Sequence, residues 1–347
     1  MVAERKPLEG QVALVAGATR GAGRGIARML GAAGATVYCT GRSGGGHGAT
    51  PGRAETLEET AALVDQEGGI GRAIRVDHTI EAEVANLMER IRTEAGRLDI
   101  LVNDIWGGDA LIDWSKKFWE IDIAAFRTLI DRAVVSHLLT SRYGAPLMIE
   151  KGRGLIVEVT DGHTDGYRGQ IIYDLVKSSN VRLGYAMAWD LAETPITALT
   201  LTPGFLRSEA VLDHFGVRET NWRDAIAKDS FFAESETPCF VGRAVAALAA
   251  DPNVRAKAGN TYLAADLATE YGFTDLDGSV PRFQELFDRT IDQILARGAG
   301  IALEGEDRFF VWARYCQIHR QPQHRERAML LAGRLGIANA GAGLQPQ

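Results

Sequence analysis

The sequence predicts an α/β fold in which a parallel sheet is covered by helices on both faces, and three observations carry that expectation. Seven short apolar runs alternate with longer helix-like segments across the first 265 of 347 residues. The runs are nearly continuous in apolar residues, as strands buried on both sides require. The segments between them repeat apolar residues at three and four, as in Ala61, Leu63 and Val64 or in Val84, Leu87, Met88 and Ile91, the stripe of a helix with one buried face.

Along the chain, "VALVAG" at 12–17 opens the sheet and runs into glycines that start a helix over 22–33. "ATVYCT" at 35–40, rich in β-branched and aromatic residues, is the second strand and precedes a helix over 54–67. "GRAIRVD" at 71–77, a helix over 80–95, "LDILVND" at 98–104 and a long helical stretch over 122–150 follow. "GLIVEVT" at 154–160, a helix over 172–193, "ITALTLT" at 196–202, a helix over 237–250 and "NTYLAA" at 260–265 complete the alternation. Residues 206–236 break the rhythm: too long for a plain connection and mixing aromatics with charges, they suit a lid over a substrate site. The expected division is a 1–280 domain and a 281–347 helical extension that is not an independent domain, with the last eight or so residues disordered.

Composition narrows the function classes. With 46% hydrophobic and 24% charged residues the chain can bury a large core. A net charge of -7 argues against a nucleic-acid surface, which needs clustered Lys and Arg, so a small molecule is the expected partner. The start, "MVAERKPLEGQ", is charged where a secretion signal needs an apolar core, and no apolar run approaches a membrane span; a soluble cytoplasmic protein is expected. Cys39, Cys239 and Cys316 are too few and too scattered for a disulfide framework or a zinc cluster, so reduced structural thiols and no metal are expected.

The first strand leads into "AGATRGAGRGIARML". Gly17, Gly21 and Gly23 leave the strand and open a helix, where backbone N–H groups and the helix dipole attract a pyrophosphate. Glycines can also serve a mere turn; the strand, turn, helix context favours the nucleotide. The second strand ends in "TGRS", which places Arg42, with Ser43 beside it, where an acidic residue would hold a ribose 2′-hydroxyl; an arginine there meets a 2′-phosphate. Arg20, next to Thr19 in the loop, adds a second positive charge, and the two point to NADP(H). Asp77 and His78 close the third strand, where Asp77 is placed either to accept from an adenine amino group or to cap the helix that follows. Tyr173 and Lys177 stand four apart and so share one face of a helix.

The glycine loop, "LDILVND" with Asn103, the Tyr173/Lys177 pair and "TPGF" with Pro203, Gly204 and Phe205 occur in one order along the chain. In that combination the chain resembles the short-chain dehydrogenase/reductase family over residues 8–275, and "KFWE", "SRYGAPLM" and "GLIVEV" are similar to its dehydrogenase/reductase member 1 subgroup. The resemblance implies a Rossmann-type, doubly wound sheet of seven parallel strands, a nicotinamide cofactor, and hydride transfer to or from a carbonyl or alcohol. It implies that Tyr173 is the acid/base group and that Lys177 lowers its pKa and holds the nicotinamide ribose. It also implies pairing of helices into a homodimer or homotetramer.

The site departs from the family's pattern. The usual serine upstream of the tyrosine is absent, with Thr160 and Asp161 standing thirteen and twelve residues before Tyr173. Thr160 can supply a hydroxyl. An ionised Asp161 beside the reacting oxygen repels a developing alkoxide, so Asp161 turns away, or is held protonated as a donor, or meets a substrate that brings a positive centre such as an amine or iminium. The family's "NNAG" is "NDIW" here, and the helical asparagine of the usual proton relay falls at Ala133. His137 or His163 is a candidate substitute, though a lone histidine is more often structural. Trp106, Trp114, Phe118 and Trp119, with Phe205, Phe231 and Phe232, suit a pocket for a bulky apolar or aromatic substrate. The expectation is an NADP(H)-dependent oxidoreductase acting on a carbonyl, alcohol or imine. Two alternatives stay open: a lyase or dehydratase whose bound cofactor is not consumed, and an NADP(H)-binding protein of low activity.

Overall fold

The computed structural model describes residues 5–44, 46, 48, 50, 52–162, 167–297, 302–318 and 321–336. The first half alternates β1 (Val12–Ala16), α1 (Gly21–Ala32), β2 (Thr36–Gly41), α2 (Leu57–Gln66), β3 (Ile70–Arg75), α3 (Glu81–Ala95) and β4 (Ile100–Asn103). Next come α4 (Ile123–Ile130), α5 (Ser136–Lys151), β5 (Gly154–Val159), α6 (Ile171–Asp190) and β6 (Ile196–Thr202). The chain continues through β7 (Phe205–Leu206), α7 (Glu209–Phe215), β8 (Ser235–Glu236), α8 (Pro238–Ala250), β9 (Thr261–Leu263) and α9 (Ala264–Tyr271). Seven strands form one parallel sheet in the order β3-β2-β1-β4-β5-β6-β9. The order reverses between β1 and β4, so the loops leaving their carboxyl ends part and open a crevice.

The continuous apolar strands are buried on both faces, as their sequence requires. On one face Val15, Val102 and Val157 meet Ile26 and Leu30 of α1 and Phe240 and Val245 of α8. On the other, Leu14, Leu101 and Ile156 meet Leu87, Met88 and Ile91 of α3 and Leu147 and Met148 of α5.

Three expectations change in detail. The single helix over 122–150 is interrupted by a π-helical turn at Asp131–Val135, which inserts extra residues between α4 and α5 and rotates their faces relative to each other. The last strand is shorter than 260–265, because α9 begins at Ala264. The 206–236 segment is a small unit, with α7 and two 3₁₀ turns closing over Val217, Trp222, Ala225 and Phe232, and β7 pairing β8 at its base.

Beyond residue 281 the chain forms α10 (Phe283–Ala296), α11 (Gly305–Ile318) and α12 (Arg325–Leu335). They enclose a cluster of their own that includes Phe287, Ile291, Val311 and Leu331, and Phe231 of the 206–236 segment packs onto it. The tail expected to be disordered falls on residues outside those described, as does His163.

Candidate active site

A cleft of about 430 Å³ opens at the carboxyl ends of β1 and β4 and joins the glycine loop to the first turns of α6. Gly17 has φ +98, and a Cβ there would stand 2.3 Å from the Asp104 carbonyl oxygen; a Cβ on Gly23 would stand 2.3 Å from the Gly17 carbonyl oxygen. Only glycine lets the loop fold this tightly into the start of α1. An anion already occupies that helix end. The Gly21 N–H donates to Glu209 Oε2 at 2.8 Å, a carboxylate delivered by α7 at the position a phosphate would take. This cradle and its carboxylate stand-in fit a pyrophosphate group.

At the far end of the cleft the sheet presents Thr19, Arg20, Arg42, Ser43, Asp77 and His78. Arg132, on the π-helical turn, reaches the same wall and donates to the Gly107 carbonyl at 3.0 Å. Burial and the neighbouring positive charge of Arg132, with Arg20 adding to them and the Asp77 carboxylate opposing, push the Arg42 pKa down, so three guanidinium groups share this wall with one carboxylate. Asp77 spends one carboxylate oxygen on Thr79 N (3.0 Å) and Thr79 Oγ1 (2.7 Å), the turn-forming alternative of its two expected roles. The His78 ring lies between Thr40 Oγ1 (2.8 Å) and Thr140 Oγ1 (2.9 Å), and burial pushes its pKa down to about 3, so it is a neutral structural wedge.

At the other end, Gln170 caps α6 by accepting from Ile172 N and Tyr173 N, which sets Tyr173 in the first turn and Lys177 one turn on. Lys177 Nζ lies 4.4 Å from the Trp106 ring and 5.4 Å from the Tyr173 ring. The Tyr173 hydroxyl donates to Asp161 Oδ2 at 2.8 Å. Thr160 faces elsewhere: its hydroxyl donates to the Lys177 carbonyl at 2.8 Å and ties β5 to α6. Asp161 is therefore the group in contact with the phenol. Burial and the Asp161 carboxylate push the Tyr173 pKa well up, and burial pulls that of Lys177 down against Asp161 and Asp104. Asp104, buried against Gly23 N–H, has its own pKa pushed up to about 6 by burial, with Lys177 opposing.

Some expected residues lie elsewhere. Asn103 is wholly buried and spends its amide on Ser141 Oγ (2.8 Å), Glu158 Oε1 (2.6 Å) and the His137 carbonyl, because its position in the pleat faces α5. His137 joins that network, with Nδ1 2.7 Å from Glu158 Oε2 and Nε2 2.9 Å from the Ile105 carbonyl, and does not line the cleft. Pro203, Gly204 and Phe205 stand behind the wall, which is made by Leu206, Ser208, Ala210 and Val211. Gly204 N donates to buried Glu236, and Phe205 packs on Phe232. Of the aromatics, Trp106 and Trp114 flank Tyr173 at 5.5 and 5.2 Å, whereas Phe118 and Trp119 pair with each other on the surface. Cys39 and Cys239 are buried and free.

Four groups at the site were not anticipated: Arg132, Asp104, Asp109 and Glu209. Asp104 had a signal in the altered "NDIW" run. Glu209 follows Ser208, a readable helix cap, but nothing in the sequence says which helix end its carboxylate meets. Among the described residues, no helix is long and apolar enough to cross a membrane.

The short chain dehydrogenase family model matches residues 11–214. Dehydrogenase/reductase SDR family member 1 of Mus musculus is 36% identical over 277 residues, covering 78% of this chain and 85% of that protein. The 7alpha-hydroxysteroid dehydrogenase of Clostridium sardiniense is 30% identical, covering 60% of this chain and 76% of its own. A solved short chain dehydrogenase of Mycobacterium thermoresistibile superposes with TM-score 0.65 at 23% identity over 79% of this chain and 92% of that one, a likeness of fold.

Proposed function

The chain belongs to the short-chain dehydrogenase/reductase family of oxidoreductases, and from that premise we propose that it is an NADP(H)-dependent member that moves hydride to or from a carbonyl, alcohol or imine of a bulky small molecule. One observation carries the reading: a single cleft runs from the glycine loop and the Arg20, Arg42 and Arg132 wall to Tyr173 and Lys177. When bound, the nicotinamide group supplies or accepts the hydride. The backbone of Gly17 and Gly21 receives the pyrophosphate, and the three arginines favour a cofactor with a 2′-phosphate over one without it.

At the reacting end, Lys177 provides the positive charge beside the phenol, with Trp106 packed over its ammonium group. The Tyr173 hydroxyl is the proton donor nearest the substrate position, and Asp161 fixes its direction. Trp106 and Trp114 provide the apolar walls. The same reading takes residues 1–280 as the catalytic domain, 281–347 as its dependent extension, and the protein as a cytoplasmic homodimer or homotetramer.

The test follows absorbance of the reduced cofactor with NADPH and NADH in the presence of ketones, aldehydes and cyclic imines. NADPH is expected to be preferred by tenfold or more, and Arg42→Ala to reduce that preference by a factor on the order of ten to a hundred, the loss of a charge-assisted hydrogen bond. Tyr173→Phe is expected to abolish ketone reduction. Equal use of the two cofactors would remove the NADP(H) assignment, and undiminished ketone turnover in Tyr173→Phe would remove Tyr173 as the acid.

A further inference from the structure

From the surroundings of the Tyr173 hydroxyl we infer that the substrate is a cation, an iminium or a protonated amine, recognised by Asp161 inside an aromatic box. The inference rests on the oxidoreductase reading and names its substrate class. The phenol donates to a carboxylate at 2.8 Å. A ketone reduced there would build negative charge on oxygen against Asp161, a like-charge repulsion that disfavours the step. An iminium has the opposite sign.

Carboxylates outnumber the ammonium groups around the phenol. Asp109 also faces it, and accepts from Trp106 Nε1 at 2.6 Å, which enriches the indole face. Lys177 lines the cleft beside the phenol and faces Asp161 first, then Asp104 and Asp109. Arg168 bridges the Asp161 carbonyl and the Asp174 carboxylate. Three carboxylates, Asp161 against the phenol and Asp104 and Asp109 lining the cleft, are thus set against the one ammonium group of Lys177.

The walls suit the same ligand. The rings of Trp106, Trp114 and Tyr173 lie within 5.5 Å of one another in pairs through Tyr173, and Trp106 already holds one ammonium group against its face, that of Lys177. Aromatic faces with carboxylates beside them bind organic cations. Phe309 of α11 and Trp114 both come within 3.6 Å of where a side chain on Gly169 would begin, just ahead of the α6 cap. The C-terminal extension thus reaches Gly169 beside Trp114, next to the cleft wall.

Reduction of the iminium balances without a proton, and in the reverse direction the protonated amine first gives its N–H proton to the Asp161 carboxylate so that its lone pair can expel the hydride. The iminium carbon takes up a hydride with its electron pair from the reduced nicotinamide, the carbon–nitrogen π pair becomes the nitrogen lone pair, and amine and oxidised cofactor leave. Tyr173 keeps its hydrogen bond to Asp161 throughout.

Three probes test this. N-methyl dihydroisoquinolinium is a permanent cation, tetralone is a neutral ketone of similar frame, and the reduced amine reports binding through quenching of Trp106 and Trp114 fluorescence without turnover. Wild type is expected to show the higher kcat/KM on the cation. Asp161→Asn and Asp161→Ser are each expected to weaken amine binding roughly thirtyfold or more, as when one partner of a desolvated charge pair is removed, and Asp161→Ser to raise tetralone turnover. Preference for tetralone in wild type, or amine binding unchanged in both Asp161 variants, overturns the inference while leaving the oxidoreductase reading intact. Amine binding that depends on Asp161, with no probe oxidising NADPH, upholds the cation site and overturns the oxidoreductase reading.

Discussion

Glu209 and the cofactor compete for the same backbone hydrogen-bond donor. Its Oε2 accepts from Gly21 N–H at 2.8 Å, and its Oε1 lies 3.7 Å from an Arg24 guanidinium nitrogen. A pyrophosphate entering the glycine loop must take that donor and tolerate, or expel, a carboxylate beside it. A hydrogen bond to a charged group contributes about 1.5 to 3 kcal/mol, and a unit like charge at about 5 Å adds repulsion on the order of 3 kcal/mol before salt screening. The carboxylate recovers part of this by rotating toward Arg24, so the net penalty on cofactor affinity is set at roughly 1.5 to 3 kcal/mol, a factor on the order of ten to a hundred.

Glu209→Gln removes the charge, and Glu209→Ala removes charge and acceptor together. Both are expected to tighten NADPH binding by at least tenfold, measured by quenching of tryptophan fluorescence, since Trp106 and Trp114 line the cleft. The gain should shrink as salt rises. The exposed Glu89→Gln, on α3, serves as the control for a bulk change in charge. Weaker binding in both Glu209 variants, or the same gain in Glu89→Gln, would refute the competition.

Two further outcomes follow from the surroundings of the site. Burial pushes the Glu236 pKa up to about 8 from 4.5, with its Oε1 unpartnered and its Oε2 held by Gly204 N. The folded state thus binds a proton that the unfolded state has released, so this contribution is complete below about pH 4.5 and is lost as pH rises through about 8, worth roughly 3 to 5 kcal/mol. Glu236→Gln should flatten the fall in Tm between about pH 5 and pH 9; an unchanged slope contradicts the buried neutral acid. Thr160→Val removes the hydroxyl that anchors the Lys177 carbonyl; stability should drop by about 1 kcal/mol in urea unfolding with kcat/KM changed by less than roughly threefold. A loss of activity of a hundredfold would return Thr160 to the role of substrate donor.

The order of strands and helices was legible because each element carries its own period: β1, β2, β4, β5 and β6 are short, mostly apolar runs rich in β-branched residues and the helices between them repeat at three and four. The cofactor end of the cleft was legible for a related reason. Gly17 is required by its own left-handed backbone and Gly23 by the Gly17 carbonyl just before it, and Arg42 by its place at the end of β2. What escaped were groups placed by long-range geometry. Arg132 reaches the cleft because a π-helical turn rotates it there, and an apolar period averaged over 122–150 hides a local change of pitch. Glu209 reaches the start of α1 across 188 positions of sequence. Phe231 reads like its neighbour Phe232, yet it packs with Phe283 and Phe310 in the extension while Phe232 fills the core of the 206–236 segment.

Thr160 and Asp161 show why spacing to a catalytic residue cannot settle a role. They are neighbours, both plausible by their distance from Tyr173, and they differ only in which way the chain turns as β5 ends at Val159. Thr160 still follows the sheet: its N–H bonds the Leu201 carbonyl and its buried hydroxyl is drawn to the α6 backbone. Asp161 is the first residue free of the ladder, with Gly162 after it at φ +79, and the chain there can aim a side chain at the first turn of α6. The residue that leaves the sheet first is the one that reaches the phenol. At that position a serine would offer a neutral hydroxyl, whereas aspartate sets the sign of charge that a substrate must bring.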